Sequence, residues 1–199
     1  MRELLLATAN KGKIPQLIAG LKDIPFQIRT LNDLTLPDGF NVAEPGTTYE
    51  ANALIKAFVY GKHSQMITVA DDSGLEIDAF PEAMGVQTAY SFTGNRAERL
   101  VQLLEMMKDV PADKRTCRYR DVIAIYDPRS DKVRFGYGVT EGVLATEPHG
   151  EKGFGFDQLF ISNDLGKAFG ELDDELIDTV SHRGRALKQA REILLKEFV

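Results

Sequence analysis

The stretch RELLLATANKGKIPQL, residues 2–17, sets the pattern from which the rest of the fold is read. Leu4–Ala7 is a short apolar run that stops at turn residues, the mark of a buried strand. A small polar loop follows, and then a helix expected over Lys11–Leu21, with Pro15 in a first turn where no N–H is needed. Strand, short loop, helix is the opening of an α/β chain. It is also a layout in which backbone N–H groups at a helix start can face an anion. Thr8 and Asn10 would add side-chain donors there, and Lys11 and Lys13 charge. The Walker pattern GxxxxGK[ST] is absent, and a plain turn with two surface lysines accounts for the same residues.

Working outward, Phe26–Leu31 reads as a second strand and residues 32–47, with Pro37, Gly39, Pro45 and Gly46, as a loop. Thr47 or Thr48 then caps a helix to about Gly61, on which Ala53, Ala57 and Tyr60 share a face. Met66–Ala70 reads as a strand ending in DDSG, with Leu75–Phe80 as another. Ala97–Val110 is an amphipathic helix. Arg118–Tyr126 and Val133–Thr140 are strands joined by DPRSD, a hairpin-type connection. Gly142–Ala145 and Gln158–Ile161 are further strands, and Ser181–Phe198 is a closing helix with Ser181 as its cap. Helices alternate with strands early and strands pair later, which predicts an α/β fold with a mixed sheet rather than a doubly wound parallel one. No linker or repeat divides the 199 residues, so one domain, in two lobes, is expected.

Composition narrows the function. The formal net charge of −6 argues against nucleic acid as the main ligand, although a few placed lysines outweigh that sum for a small anion. A single cysteine, Cys117, excludes an intramolecular disulfide and a thiolate cluster; it reads as a small buried hydrophobe on a strand. His63, His149 and His182 form no HxxxH pair, which disfavours zinc. No apolar run approaches the ~20 residues of a membrane span. A strand starting at once leaves no room for a leader, and a cytoplasmic protein is expected.

Three further stretches can carry chemistry. In TVADDSGLEID, residues 68–78, Asp71 and Asp72 are adjacent carboxylates at an apolar strand end, costly unless neutralised. Mg²⁺, which prefers oxygen ligands, would serve; a turn with solvated acids is the plainer reading. In GEKGFGFDQLF, residues 150–160, glycines let a ligand approach the backbone, and Phe154 or Phe156 could stack on a flat ring beside Asp157. Core aromatics between glycine bulges explain the same residues. In SHRGRALKQ, residues 181–189, His182 and Arg183 stand in a first helical turn where the dipole disfavours cations, as they would if facing acceptors on a ligand.

Taken together, LLLATANKGK, EPGTTYEANALIKA at 44–57, ADDSGLEIDA at 70–79, GFGFD at 153–157 and SHRGRAL at 181–187 resemble the inosine triphosphate pyrophosphatase family from Leu4 to about Leu194. The resemblance implies an elongated α/β structure around a long mixed sheet, with two lobes and a cleft, usually as a homodimer. It implies hydrolysis of deaminated purine nucleoside triphosphates to the monophosphate and pyrophosphate. Thr8, Asn10, Lys13 and Lys56 then look like phosphate-binding residues. Glu44 and Asp72 look like Mg²⁺-linked acids, with Asp71 supporting the metal through its waters, and Asp72 looks like the group that activates water. Ser73 would touch the ligand. Phe154, Gly155, Phe156 and Asp157 look like the nucleoside wall, and His182 and Arg183 like readers of the 6-keto base.

Three positions depart from the family pattern: Ile177 and Tyr90 stand where a lysine and an arginine are usual, and Phe156 where a tyrosine is. A related Maf-type pyrophosphatase acting on pyrimidine or modified nucleotides, and a nucleotide binder without turnover, are the competing readings. A haloacid-dehalogenase phosphatase is excluded, because the first strand ends without the aspartate nucleophile that chemistry needs.

Overall fold

The computed structural model describes residues 2–199, apart from the side chain of Ala89. The chain folds as α/β, with a six-stranded mixed sheet in the order β2-β1-β3-β4-β5-β6. β1 (Arg2–Leu6) pairs in parallel with β2 (Phe26–Thr30) and with β3 (Ile67–Ile77), Leu4 standing opposite Ile28 and Ile67. β4 (Thr116–Asp127) and β5 (Lys132–Leu144) are consecutive in chain and sheet. β6 (Phe160–Ser162) runs antiparallel to β5, with Val143 opposite Ile161. The mixed sheet expected from the element pattern is thus present.

The helices are α1 (Ile14–Gly20), α2 (Tyr49–Ser64), α3 (Thr88–Ser91), α4 (Arg96–Met106), α5 (Asp174–Val180) and α6 (His182–Glu197). Thr48 caps α2 by accepting the Ala51 N–H at 3.2 Å, as its sequence predicts. α1 is shorter than expected, because residues 7–13 close on themselves: Thr8 Oγ1 accepts the Asn10 N–H and Asn10 Oδ1 accepts the Gly12 N–H. α5 was not expected. Its seven residues are terminated at Ser181, whose N–H donates to Ile177 O, immediately before α6 begins.

Two compact units make up the chain. The first comprises the chain up to Asp72 with Asp121–Gly138 and Arg183–Val199. Here the sheet has a core on each face, and the period of two along each strand sorts the side chains between them. Leu4, Leu6, Ile67, Val69, Ile123 and Ile125 pack with α1 and α6. Leu5, Ala70, Ala124 and Tyr126 pack with Ala53, Ala57 and Tyr60 of α2.

The second unit comprises Ser73–Arg120 and Val139–His182, around a core that includes Leu75, Leu103, Cys117, Phe160 and Phe169. Cys117 is fully buried, and burial pushes its thiol pKa far up, as expected of an inert core residue.

One expectation fails in an informative way. DDSG does not end a strand: β3 runs unbroken through it for 11 residues. Gly74 is not there for a sharp turn. A Cβ at that position would collide with the Gly85 carbonyl oxygen, and Thr88 Oγ1 ties the neighbouring backbone by accepting the Leu75 N–H at 3.1 Å. Gly74 therefore permits a close backbone approach within the second unit.

Candidate active site

Because β3 continues through Asp71 and Asp72, these neighbours point to opposite faces of the sheet. Asp71 shares a face with Ile67 and Val69, toward α1 and α6; Asp72 shares one with Ala70, toward α2. Each finds cations on its own side.

On the α1 and α6 side, Lys13, the residue capping α1, reaches Asp71 Oδ2 with its ammonium at 2.5 Å. Asp71 is 1% exposed and its Oδ1 accepts no hydrogen bond. Burial alone would raise its pKa, but Lys13, Arg183 and Lys56 outweigh it and hold the carboxyl at about 2. Asp121 of β4 is on this side too, fully buried beside Ile123, with Arg183 Nε at 3.5 Å from its Oδ2. Burial and the negative charge of Asp71 push Asp121 up to about 7, against the pull of Arg183. The guanidinium of Arg183 also donates from Nη1 to Gln16 Oε1 at 2.6 Å.

On the α2 side, Asn52 Nδ2 donates to Asp72 Oδ2 at 3.1 Å, while Asn52 Oδ1 accepts the Gly46 N–H at 2.7 Å. This second bond fixes the amide orientation, so Asp72 receives a donor rather than a lone pair. Lys56, one turn along from Asn52, reaches Glu44 Oε2 at 2.6 Å and lies 3.9 Å from Asp72 Oδ1. Burial raises the Asp72 pKa above the usual carboxylate value, only partly offset by Lys56 and Asn52. Burial works against the charge on Lys56, yet Asp71, Glu44 and Asp72 together keep its pKa above normal.

The first unit therefore gathers Lys13, Lys56, Glu44, Asp71 and Asp72, together with Asp121, which carries no motif and was missed in the sequence. Its only signal was a lone acid within the apolar strand segment DVIAIY. Thr8 is buried and Asn10 exposed, and the oxygens of both are used within the loop, so they shape the turn around Lys13 rather than simply projecting from it.

The donor set is all oxygen, which suits a hard cation. Among the described residues no three His, Cys, Asp or Glu side chains converge closely enough to hold a metal unaided. Mg²⁺ typically takes one or two carboxylates and completes its shell with phosphate oxygens and water.

The second unit holds the remaining expected residues. Ser73 is half-buried in β3. The GFGFD loop is a tight turn in which Gly153 and Gly155 take left-handed φ values of 74° and 57°. Asp157 stabilises it, its Oδ2 accepting the Phe154 N–H at 2.8 Å. Phe156 turns inward, edge-on to Phe92 at 5.4 Å between centroids, while Phe154 is only half-buried. Phe156 is thus a core support for the loop. His182 stacks on Tyr119, with centroids 4.7 Å apart and planes 14° from parallel. Of the departures, Ile177 is buried in this unit's core and Tyr90 is largely exposed.

The chain is matched by the model of the Ham1 family over residues 4–193. It is 40% identical to a dITP/XTP pyrophosphatase of Desulforamulus reducens, over 99% of this chain and 98% of that protein. With the dITP/XTP pyrophosphatase of Geobacter sulfurreducens it shares 38% identity, over 98% and 97% respectively. Among solved structures, a HAM1 protein from Coxiella burnetii superposes with a TM-score of 0.87 at 32% identity, covering 98% of each chain. Family match, full-length relatives and superposition agree with the reading of the five motifs: the chain belongs to the Ham1 family.

Proposed function

We propose that the protein hydrolyses deaminated purine nucleoside triphosphates, ITP, dITP and XTP, to the nucleoside monophosphate and pyrophosphate. The observation that carries this reading is the cluster in the first unit, where Lys13 and Lys56 are held by Asp71, Glu44 and Asp72. Two buried-stem ammonium groups suit a polyphosphate tail, whose charge they offset in ground and transition states. Relatives named dITP/XTP pyrophosphatase support the purine-directed activity over the pyrimidine-directed alternative.

Glu44 and Asp72 are the residues that would hold Mg²⁺, with Asp71 behind them; when bound, the ion would supply charge neutralisation at the phosphates. Asp72 is the base that takes a proton from the attacking water. Its raised pKa makes it a better proton acceptor than an ordinary aspartate, and Asn52 fixes its carboxylate plane. Lys13 and Lys56 bind the phosphates, with Thr8 and Asn10 shaping the loop beside them. Ser73, Phe154, Gly155, Phe156, Asp157 and His182 are assigned to the nucleoside, Phe156 and Asp157 by supporting the loop. Arg183 and His182 are assigned to the base, where a hydrogen-bond donor favours a 6-keto acceptor over an amino group.

No helix among the described residues is long and apolar enough to cross a membrane. We place the protein in the cytoplasm and expect a homodimer. An exposed apolar groove of the first unit, lined by Leu54, Phe58, Val59 and Val133, supports the latter. Phosphorus NMR of the products from ITP tests the reaction: pyrophosphate is expected, and orthophosphate with inosine diphosphate would contradict it.

A further inference from the structure

We propose that Asp121 is a positioning residue for base selectivity: its buried carboxylate holds the Arg183 guanidinium in place and keeps it off the anchor of the phosphate-binding Lys13. The inference rests on the reading above that Arg183 faces the base.

Asp121 is fully buried on β4, and neither of its oxygens accepts a hydrogen bond. A carboxylate so placed costs stability, and an uncharged residue of similar shape would be easier to bury. Its presence therefore calls for a role other than packing. Arg183 supplies one, with Nε 3.5 Å from Asp121 Oδ2 while Nη1 donates to Gln16 at 2.6 Å. Anchors on two edges of a planar guanidinium fix its plane as well as its position.

The second half of the inference comes from Asp71. Arg183 is near enough to lower the Asp71 pKa, yet Asp71 already holds the Lys13 ammonium. On this side Lys13 pairs with Asp71 and Arg183 lies against Asp121. Were Asp121 neutral, Arg183 and Lys13 would compete for Asp71, and the guanidinium would lose its fixed orientation. On a purely electrostatic account, removing a negative charge would tighten binding of every polyphosphate alike. A positioning role predicts that selectivity is lost while phosphate affinity is not.

The test is a double-mutant cycle with Asp121→Asn and Arg183→Lys. It reads kcat/KM for ITP against ATP at pH 8, above the value of about 7 to which Asp121 is pushed, together with binding of inorganic tripolyphosphate with Mg²⁺ and the melting temperature. Asp121→Asn should lower the preference for ITP about tenfold, the scale of coupling between contacting polar groups. Tripolyphosphate affinity should not fall, and the melting temperature should not drop. In the Arg183→Lys background, Asp121→Asn should add no further loss. Asp121→Ser, smaller and also neutral, gives the same comparison should the asparagine variant not fold. Unchanged selectivity in a folded Asp121 variant, or additive losses in the cycle, would overturn the role of Asp121 alone. Unchanged selectivity in Arg183→Lys as well would instead remove the base-reading role of Arg183, and this inference with it.

Discussion

Asp71 and Asp72 are consecutive in one unbroken strand, and they serve opposite faces of the sheet: Asp71 meets Lys13 at 2.5 Å, and Asp72 meets Asn52 at 3.1 Å. The adjacency that suggests a shared role in the sequence therefore separates the two. Asp71 is tied and acidic, with its pKa lowered by cations, whereas Asp72 is a carboxylate whose pKa is raised. Environments that push two carboxylates apart in this way assign them different work.

Asp72→Asn should keep the fold and the Asn52 contact but lose the proton acceptor. Pyrophosphate release from ITP should fall by about 10²–10⁴-fold, the usual contribution of a general base, with KM little changed. Steady-state kinetics beside a melting curve checks both parts, and near-normal turnover would remove Asp72 from its role.

Lys13→Met tests the other face. The substitution keeps the stem but leaves Asp71 as a buried charge with its main partner removed, a change that typically costs about 3–5 kcal/mol. Urea unfolding should show that loss, and ITP binding should weaken in any folded fraction. Stability equal to that of the unsubstituted chain would mean that Asp71 has other compensation.

Gly74→Ala should destabilise the second unit by about 1–3 kcal/mol, the range for forced overpacking, because the new methyl group meets the Gly85 carbonyl oxygen. A stability unchanged in urea titration would mean that residues around Gly85 yield easily.

Asp121 gives a pH dependence with a definite sign. Folded, it holds its proton to about pH 7; unfolded, it loses it near 3.8. The folded chain thus binds the extra proton between those values, and stability from this group falls as pH rises through that window. In chelator, the melting temperature of Asp121→Asn relative to the unsubstituted chain should climb from pH 4 to pH 7 and then level off. A flat difference would show that Asp121 is already ionised at acidic pH.

Much of this was legible in residues 2–17, in the Thr48 cap and in the alternation of Leu4, Leu5 and Leu6, because short-range periodicity and capping depend on near neighbours. The strand break placed at DDSG was wrong because a polar, glycine-containing tetrapeptide looks like a turn when read alone. Here the glycine is required by the distant Gly85 carbonyl, and each acid is neutralised by a cation far along the chain. Asp121 was invisible for the same reason: its meaning comes from Arg183 and Asp71, not from its neighbours in the strand. The aromatic pair of GFGFD could not be divided by sequence into Phe154 and the inward Phe156 until the turn's glycines set the direction of each side chain.

The most direct measurement is pyrophosphate release across a panel of nucleoside triphosphates, with Mg²⁺ and in chelator. Release from ITP, dITP and XTP that depends on Mg²⁺ and far exceeds that from ATP, GTP, UTP and TTP is the predicted result. Preference for the pyrimidine nucleotides, or release of pyrophosphate undiminished by chelator, would contradict a cation- and lysine-held polyphosphate site selective for deaminated purines.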